Sequence, residues 1–404
     1  MKKFLFLYSP LLHLCYQENF PPKGANYFLK EKEEIIQLKN LLDFDYQDLR
    51  IRKLELNNYE YIFLYCDFST DFPTINFLTE EILNSKKKLF LFGPLITHYF
   101  YYQPSLLESL KEKDLSLVIG FLPNIISEII NDINNQEIKK IYQASFTPNY
   151  FSINYKISLI IGCYCLEYFK PFCKNFLYFK NSVKVREMKE VVKEVINKGK
   201  KMIEIDDEDI ASNFIYYSDF FSFVWRFKKH WIIRASQNIF ANPKFIRLLA
   251  KAGVKIIYLN ESWLNLDELI EKGEKLIREK RKEVKSLQKE KILVGAKLSF
   301  ILKEREINFK KVFNILRKID FDFLELRFFL WENNQLYLIY PTYQPFLSET
   351  SPVILKREFY SLRNIIYRLS KRPRRVGFYN TLFYSLPLNF AYRQNFLEGI
   401  PFPP

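Results

Sequence analysis

The sequence predicts an α/β protein built from two successive parallel sheets. Two observations carry this. Short apolar runs of strand length alternate with segments of helical periodicity through most of the chain, the pattern of βαβ units. The composition is 48% hydrophobic, with 40 Phe and 27 Tyr in 404 residues. That supplies core for two or three domains and excludes disorder.

In the first series, Phe4–Tyr8, 61–66, Lys88–Phe92 and Leu115–Ile119 read as strands. Helical segments at 79–85, Ser105–Lys111 and 124–131 lie between or after them. A parallel sheet offers ligand sites beyond the carboxyl ends of its strands, here 9–13, 67–70, 93–98 and 120–124. The stretch 141–155 reads as a connecting arm.

A second series starts with a strand over 156–162 that ends in cysteines. A helix over 184–198 follows, with Val185, Met188, Val191, Val192, Val195 and Ile196 on helical spacing and Gly199 as the stop. The strand 201–205 runs into four acidic residues, 206–209. The strand 231–235 precedes a helix with Asn242 as N-cap, Pro243 in its first turn and Gly253 at its end. The strand 254–259 leads to Asn260-Glu261-Ser262, and a charged helix spans 266–288. Strand 292–301, helix 308–318 and strand 322–329 complete the series. Five or six βα units in a row predict a full or partial parallel barrel, with its chemistry at the carboxyl ends of the strands. The tail holds a strand-like 336–340 and is then rich in Phe, Tyr, Arg and Pro. It is expected to pack across the barrel or along the first domain. The expected domains are 1–138, 139–333 and 334–404.

Lys+Arg exceed Asp+Glu by 61 to 46, a net charge of +15. This leaves nucleic acid or an anionic surface open as a partner, with K-R-P-R-R at 371–375 as the local cluster for it. Most lysines instead sit beside glutamates, as in E-K-G-E-K-L-I-R-E-K-R-K-E-V-K, which reads as a solvated helix face. The N-terminal apolar run imitates a signal peptide, but Pro10 breaks it and no small-residue cleavage site follows. No stretch reaches the ~18 uninterrupted apolar residues of a membrane span. Five unevenly placed cysteines do not make a disulfide framework. The expected compartment is a reducing cytoplasm.

Cys163, Cys165 and Cys173 fall within eleven residues. Three thiolates can hold three irons of a [4Fe–4S] cluster and leave the fourth open for a substrate or cofactor. The other readings are a zinc site, two buried thiols with one spare, or a relic loop. Zinc needs a fourth ligand, and no other Cys or His is close in sequence. With 10 glycines in 404 residues, Gly-rich cofactor loops are not common here.

The order of motifs resembles that of the cobalamin-binding-domain radical S-adenosylmethionine (SAM) proteins over most of the chain. F-G-P-L-I-T at 92–97 is similar to the family's G-G-P-H-A-T loop, and V-I-G at 118–120 to its V-x-G-E-G-E turn. I-I-G-C at 160–163 is similar to the family's R-G-C, and F-C at 172–173 to its final aromatic-Cys pair. I-E-I-D-D-E-D-I at 203–210 resembles its second-strand D-D motif. L-L-A-K-A-G-V-K-I-I-Y-L-N-E-S at 248–262 resembles its K-A-G-C…G-x-E-S segment. A-K-L-S-F-I-L at 296–302 is like the strand that normally ends in a glycine loop. The departures are equally specific. The cysteine pattern is C-x-C-x7-C instead of C-x3-C-x2-C, with Lys170 at the usual middle position. Gly120-Phe121-Leu122-Pro123 lacks the carboxylates of the G-E-G-E turn, and the glycine loop is replaced by Lys303-Glu304-Arg305-Glu306. Leu95 stands where the family has histidine, with His98 nearby.

The resemblance implies an N-terminal Rossmann-like, cobalamin-binding sheet followed by a partial (β/α) barrel of the radical SAM type. It implies a [4Fe–4S] cluster on Cys163, Cys165 and Cys173, with SAM bound at the open iron, and cobalamin as a further cofactor. Asp206 and Asp207 would accept from the SAM ammonium, and Arg234 would pair with its carboxylate. The rival role for Arg234 is an ion pair with Glu204 or Asp207. Glu261 and Ser262 would hold ribose hydroxyls. Gly93, Thr97 and His98 would line a corrin pocket. The implied activity is radical chemistry, as cobalamin-dependent methyl transfer or other C–H functionalisation. It needs an electron donor and acts on a small-molecule or macromolecular substrate that the sequence does not identify. The alternatives are a catalytically degenerate scaffold and an RNA-binding protein.

Overall fold

The computed structural model describes residues 3–9, 33–49, 53–146 apart from 69, 156–163, 167–199 apart from 181, 201–260, 263–264, 266–302, 309–332, 335–339 and 356–397. Cys165, Glu261, Ser262 and 303–306 lie outside the described residues. The chain divides into two compact units. Met1–Ile153 and Ile160–Val185 form the first, and Asn154–Leu159 with Arg186–Phe402 form the second.

The first unit contains β1 (Phe4–Tyr8), β2 (Asp45–Asp48), β3 (Tyr61–Tyr65), β4 (Lys88–Phe92), β5 (Leu115–Ile119) and β6 (Ile141–Gln143). All pair in parallel, in the order β2-β1-β3-β4-β5-β6. The sequence F-L-F-L-Y of β1 shows how this sheet is held. Side chains alternate faces along a strand, so aromatic and aliphatic residues separate. Leu5, Leu7, Ile62, Leu64, Leu89 and Leu91 pack on one face. Phe6, Phe63 and Phe90 stack on the other, with centroids 4.6 Å apart and ring planes within 10°. Both faces are buried, as a parallel sheet between helices requires. β2 and β6 add to the expected strands. The stretch expected as a connecting arm from 141 opens as the edge strand β6. β4 ends at Gly93, whose φ is +112° and where a Cβ would lie 2.4 Å from the Cys66 carbonyl oxygen. Only glycine fits that turn into the helix Pro94–Tyr102.

The run expected as one strand over 156–162 is divided. β7 (Lys156–Ile157) belongs to the second sheet, and β8 (Ile160–Ile161) pairs antiparallel with β9 (Lys184–Val185) in the first unit.

The second unit continues with β10 (Met202–Ile205), β11 (His230–Ala235), β12 (Val254–Leu259), β13 (Leu293–Leu302), β14 (Phe323–Glu332) and β15 (Gln335–Ile339). The sheet order is β15-β14-β13-β12-β11-β10-β7, parallel except for the antiparallel β14–β15 pair. It is an open row, hence a partial barrel. Helices join its strands, with Asn242 capping Pro243–Lys251 by accepting from Phe245 N at 3.1 Å. The helix expected over 184–198 is shorter, Met188–Asn197, because Lys184 and Val185 pair with β8, and the helix Phe214–Val224 was not expected.

The tail forms the helices Leu362–Val376 and Leu386–Leu397. Tyr384, Leu388 and Tyr392 pack with Met202, Ile232, Ile256, Leu293 and Phe323 on one face of the second sheet. Tyr392 also donates to Glu325 Oε1 at 3.0 Å and lies 3.1 Å from the Tyr258 hydroxyl. Gly295 makes room for the Tyr258 ring, because a Cβ there would lie 2.4 Å from it. The K-R-P-R-R cluster departs from its expected role as a nucleic-acid surface. Arg372 is buried, paired with Asp322 and, at 3.3 Å, with Asp320, while Arg375 also pairs with Asp320. Asp322 Oδ2 in turn accepts from Val294 N at 2.8 Å. Burial pushes the Asp322 carboxyl up, and the Arg372 cation opposes that shift.

Arg372→Ala strands this buried carboxylate and is expected to cost about 3–5 kcal/mol. Arg374→Ala, at an exposed position of the same helix, is expected to stay within about 0.5 kcal/mol. Denaturant melts of the two variants check this, and equal losses would refute the clamp.

Candidate functional site

The cysteine loop lies in the first unit. Cys163 follows β8 and is half-buried. Cys173 is buried at the start of the helix Lys174–Phe179, after the 3₁₀ segment Glu167–Phe172. Their Sγ atoms lie within 4.8 Å of each other. Residues ten apart thus bring two soft donors together, while Cys165 lies outside the described residues.

Both ends of the loop are tied down. Asn175 Nδ2 donates to the Gly162 carbonyl at 3.0 Å. Cys173 N donates to the Lys170 carbonyl at 3.0 Å. Ile161, Leu177, Tyr178 and Phe179 pack with Phe121 in a small core. The Tyr178 hydroxyl donates to the buried Glu34 at 2.7 Å, and the other Glu34 oxygen accepts from Leu122 N at 3.1 Å. His98 completes the grip. Its Nδ1 lies 2.8 Å from the Pro171 carbonyl. A carbonyl only accepts, so Nδ1 carries the proton. The ring sits between Phe172 and Tyr102, with centroids 4.7 and 5.5 Å away. Burial lowers the His98 pKa to about 4, so the imidazole is neutral near pH 7.

Gly93 and Thr97 are also built into this unit. Thr97 Oγ1 donates to the Gly93 carbonyl at 3.1 Å and accepts from Gly120 N at 2.9 Å. That bond ties the 92–97 loop to the 118–120 turn. The structure therefore places all three residues expected at a corrin pocket in the framework, and turns His98 toward the cysteine loop.

In the second unit, Asp206 and Asp207 follow β10 with different surroundings. Asp207 is buried, and its oxygens accept from Leu159 N at 3.0 Å and from the Tyr217 hydroxyl at 2.5 Å. Asp206 Oδ1 accepts from Arg234 Nη1 at 2.9 Å and from Lys156 Nζ at 3.2 Å. Arg234 Nη2 donates to Glu204 at 2.7 Å. Of the two rival partners weighed for Arg234, the structure selects Glu204, and it adds Asp206 instead of Asp207. Burial penalises the Arg234 cation, yet the Glu204 and Asp206 carboxylates outweigh it and hold its pKa above the usual range. Asp209, the last residue of the acidic run, is buried and accepts from Ala211 N and Ser236 N at 2.8 Å each.

Lys156 and Tyr217 were not expected at the site. Register gives the signal for Lys156, which stands opposite Glu204 in the β7–β10 pair. Nothing local marks Tyr217.

No family model matches the chain, and no curated protein does. Solved structures do. One is the radical SAM methyltransferase TsrM from Kitasatospora setae with cobalamin and a [4Fe–4S] cluster bound. It matches 81% of this chain and 75% of its own, with a TM-score of 0.50 and 12% identity. The same enzyme with its tryptophan substrate and the SAM analogue aza-SAM matches 80% of this chain and 72% of its own, again at 0.50 and 12%. At this identity the likeness shows the fold. The chain folds like a cobalamin-binding radical SAM protein, as its motif order implied.

The His98 environment makes a pH prediction. An unfolded histidine takes up a proton near pH 6.5, whereas the folded one resists until about pH 4. Its contribution is complete above pH 6.5 and is lost as the pH falls toward 4, on the order of 3 kcal/mol in total. Thermal melts at pH 7, 5.5 and 4 should show a flatter acid dependence for His98→Phe than for the parent chain. Parallel curves would count against this.

Proposed function

We propose that this protein is a radical SAM-type enzyme whose [4Fe–4S] cluster is held by Cys163, Cys165 and Cys173. The convergence of Cys163 and Cys173 to within 4.8 Å, in a chain with this fold, is the observation that carries the reading. The donor set fits, since thiolates are the usual ligands of iron–sulfur clusters. When bound, such a cluster with one open iron supplies the electron that cleaves SAM to a 5′-deoxyadenosyl radical. The chain's own residues hold and orient. His98 and Asn175 fix the two ends of the cysteine loop, and Asp207 fixes Leu159, where the chain leaves β7.

The roles toward SAM divide by exposure. Asp206 and Arg234 are partly exposed and stay within reach of a zwitterionic ligand's ammonium and carboxylate. Asp207 is an anchor. Glu261 and Ser262 are assigned to ribose hydroxyls. Gly93 and Thr97 shape the loop after β4, at the strand ends where a parallel sheet takes its ligands and where cobalamin is assigned. His98, through its Nδ1–H to Pro171, is assigned a positioning role toward the cysteine loop. The reaction class is methyl transfer or another C–H functionalisation, with an external electron donor and a cytoplasmic setting.

A second reading, a catalytically degenerate fold that serves as a scaffold, is favoured by one observation. Arg234 and Asp206 already satisfy each other within the chain. The RNA-binding reading loses its local support, because Arg372 and Arg375 are taken up by buried pairs.

Anaerobic reconstitution separates these readings. The enzyme reading expects about four iron and four sulfide per chain, a brown chromophore, and 5′-deoxyadenosine from SAM under dithionite. Cys163→Ala and Cys173→Ala should lose the iron, while Cys66→Ala, at a buried thiol outside the loop, should keep it. A colourless product would refute the enzyme reading. A full cluster without SAM cleavage would support the scaffold.

A further inference from the structure

The amino-terminal edge of the second sheet gathers positive charge on four neighbouring strands. Parallel register brings their starts together: Met202 lies beside His230, Trp231 beside Val254 and Ile256 beside Leu293. Lys201 precedes β10, Lys229 precedes β11 and Lys291 precedes β13, while Lys255 is the second residue of β12. The charges crowd one another. The Lys255 pKa is lowered by burial and by Lys201. His230 is lowered to about 4 by burial and then by Lys255 and Lys201, so it adds no charge near pH 7.

Large apolar side chains that face solvent stand in the tail segment bound to this edge and in the segments leading into its strands. In the tail, Phe378 is 69% exposed and Phe383 57%, with Tyr379 and Leu382 exposed between them. The segment is fixed to the same edge. Asn380 Nδ2 donates to the Lys291 carbonyl at 2.6 Å, and the Tyr384 hydroxyl meets His230 Nδ1. In the connection into β11, Trp225 is 49% exposed beneath the Lys251 ammonium, 5.1 Å from its ring centre. Ile196, at the end of the helix leading to β10, is exposed as well. Single exposed apolar residues are ordinary, whereas a contiguous set marks an interaction surface.

We propose that this edge of the second unit docks peripherally on an anionic lipid bilayer. Cations and anionic headgroups complement each other, while Trp, Tyr and Phe side chains seat at headgroup depth. No helix among the described residues is long and apolar enough to cross a membrane, so the contact is superficial. Aromatic and basic residues together also suit single-stranded nucleic acid. Here Leu382 and Ile196 offer no ring for a base to stack on, which favours lipid.

Flotation of the full chain with vesicles tests this. Phosphatidylcholine enriched in phosphatidylserine should retain it about tenfold better than phosphatidylcholine alone, and high salt should reduce that preference. Phe378→Ser combined with Phe383→Ser should abolish flotation with an unchanged melting curve, since both rings are exposed. Lys201→Glu with Lys291→Glu, both at exposed positions of the row, should weaken binding at least about fivefold on the anionic vesicles. Failure to float, equal flotation with both lipids, or binding of a homopolymeric RNA that these substitutions remove while vesicles are ignored, would each overturn the proposal.

Discussion

The Asp207 carboxylate sits out of water and takes the Leu159 backbone N–H with both oxygens, while the Tyr217 hydroxyl donates to it as well. The chain cannot continue as a β-ladder past Ile157, because the next donor is already taken by a side chain. It leaves the second sheet there, and three residues after Ile157 it enters the short β8–β9 ladder that opens the cysteine loop. The cysteine loop itself depends on bonds of the same kind within the first unit. Within the first unit, Cys163 and Cys173 meet because both ends of their loop are held by hydrogen bonds, Asn175 to Gly162 and His98 to Pro171. Leaving such a buried group unpaired costs about 1–3 kcal/mol or more, so the loop's position is specified by its supports.

The charged layer on the second sheet follows a different logic. Lys156 and Arg234 face Glu204 and Asp206, and the Glu325 carboxylate also acts on Arg234. Opposite charges paired in this way let the layer stay half-buried. The same pairing sets a condition on binding. A zwitterion brings one charge of each sign, so it can exchange partners with an Arg–Asp pair without leaving a charge unpaired. This is how the network can be both a satisfied piece of structure and a recognition surface, and why its internal pairing alone does not decide between enzyme and scaffold.

What was legible in the sequence depends on how local its cause is. The strands of the first sheet are written as aromatic–aliphatic alternation, and the helix caps at Asn242 and Pro243 are equally local. β2 was missed because D-Y-Q-D carries no apolar run, and its pairing with β1 is a long-range choice. The division of 156–162 comes from Asp207, 48 residues away, and no local pattern reports it. K-R-P-R-R misled for the same reason. Arginines advertise charge, but their partners Asp320 and Asp322 stand some fifty residues earlier. Cysteine density was visible at once, whereas the convergence of the thiols needed the fold. The site residues divide in the same way: the motif order puts Asp206, Asp207 and Arg234 at the carboxyl ends of β10 and β11, where they are found, but it could not say which of them the framework had already used.

The tail shows why an apolar, Arg-rich segment need not have one role. Tyr384, Leu388 and Tyr392 turn inward and supply the core that an open row of strands lacks on that face. A closed barrel would fill the space with side chains from its own strands. Phe378, Tyr379, Leu382 and Phe383 belong to the same segment but point outward, and burial does not account for them. If the tail served packing alone, polar residues at those positions would do as well, because exposed rings add little to a core and increase the risk of association. The inward set and the outward set therefore answer to different constraints, the first to the sheet beneath and the second, on the docking proposal, to the bilayer.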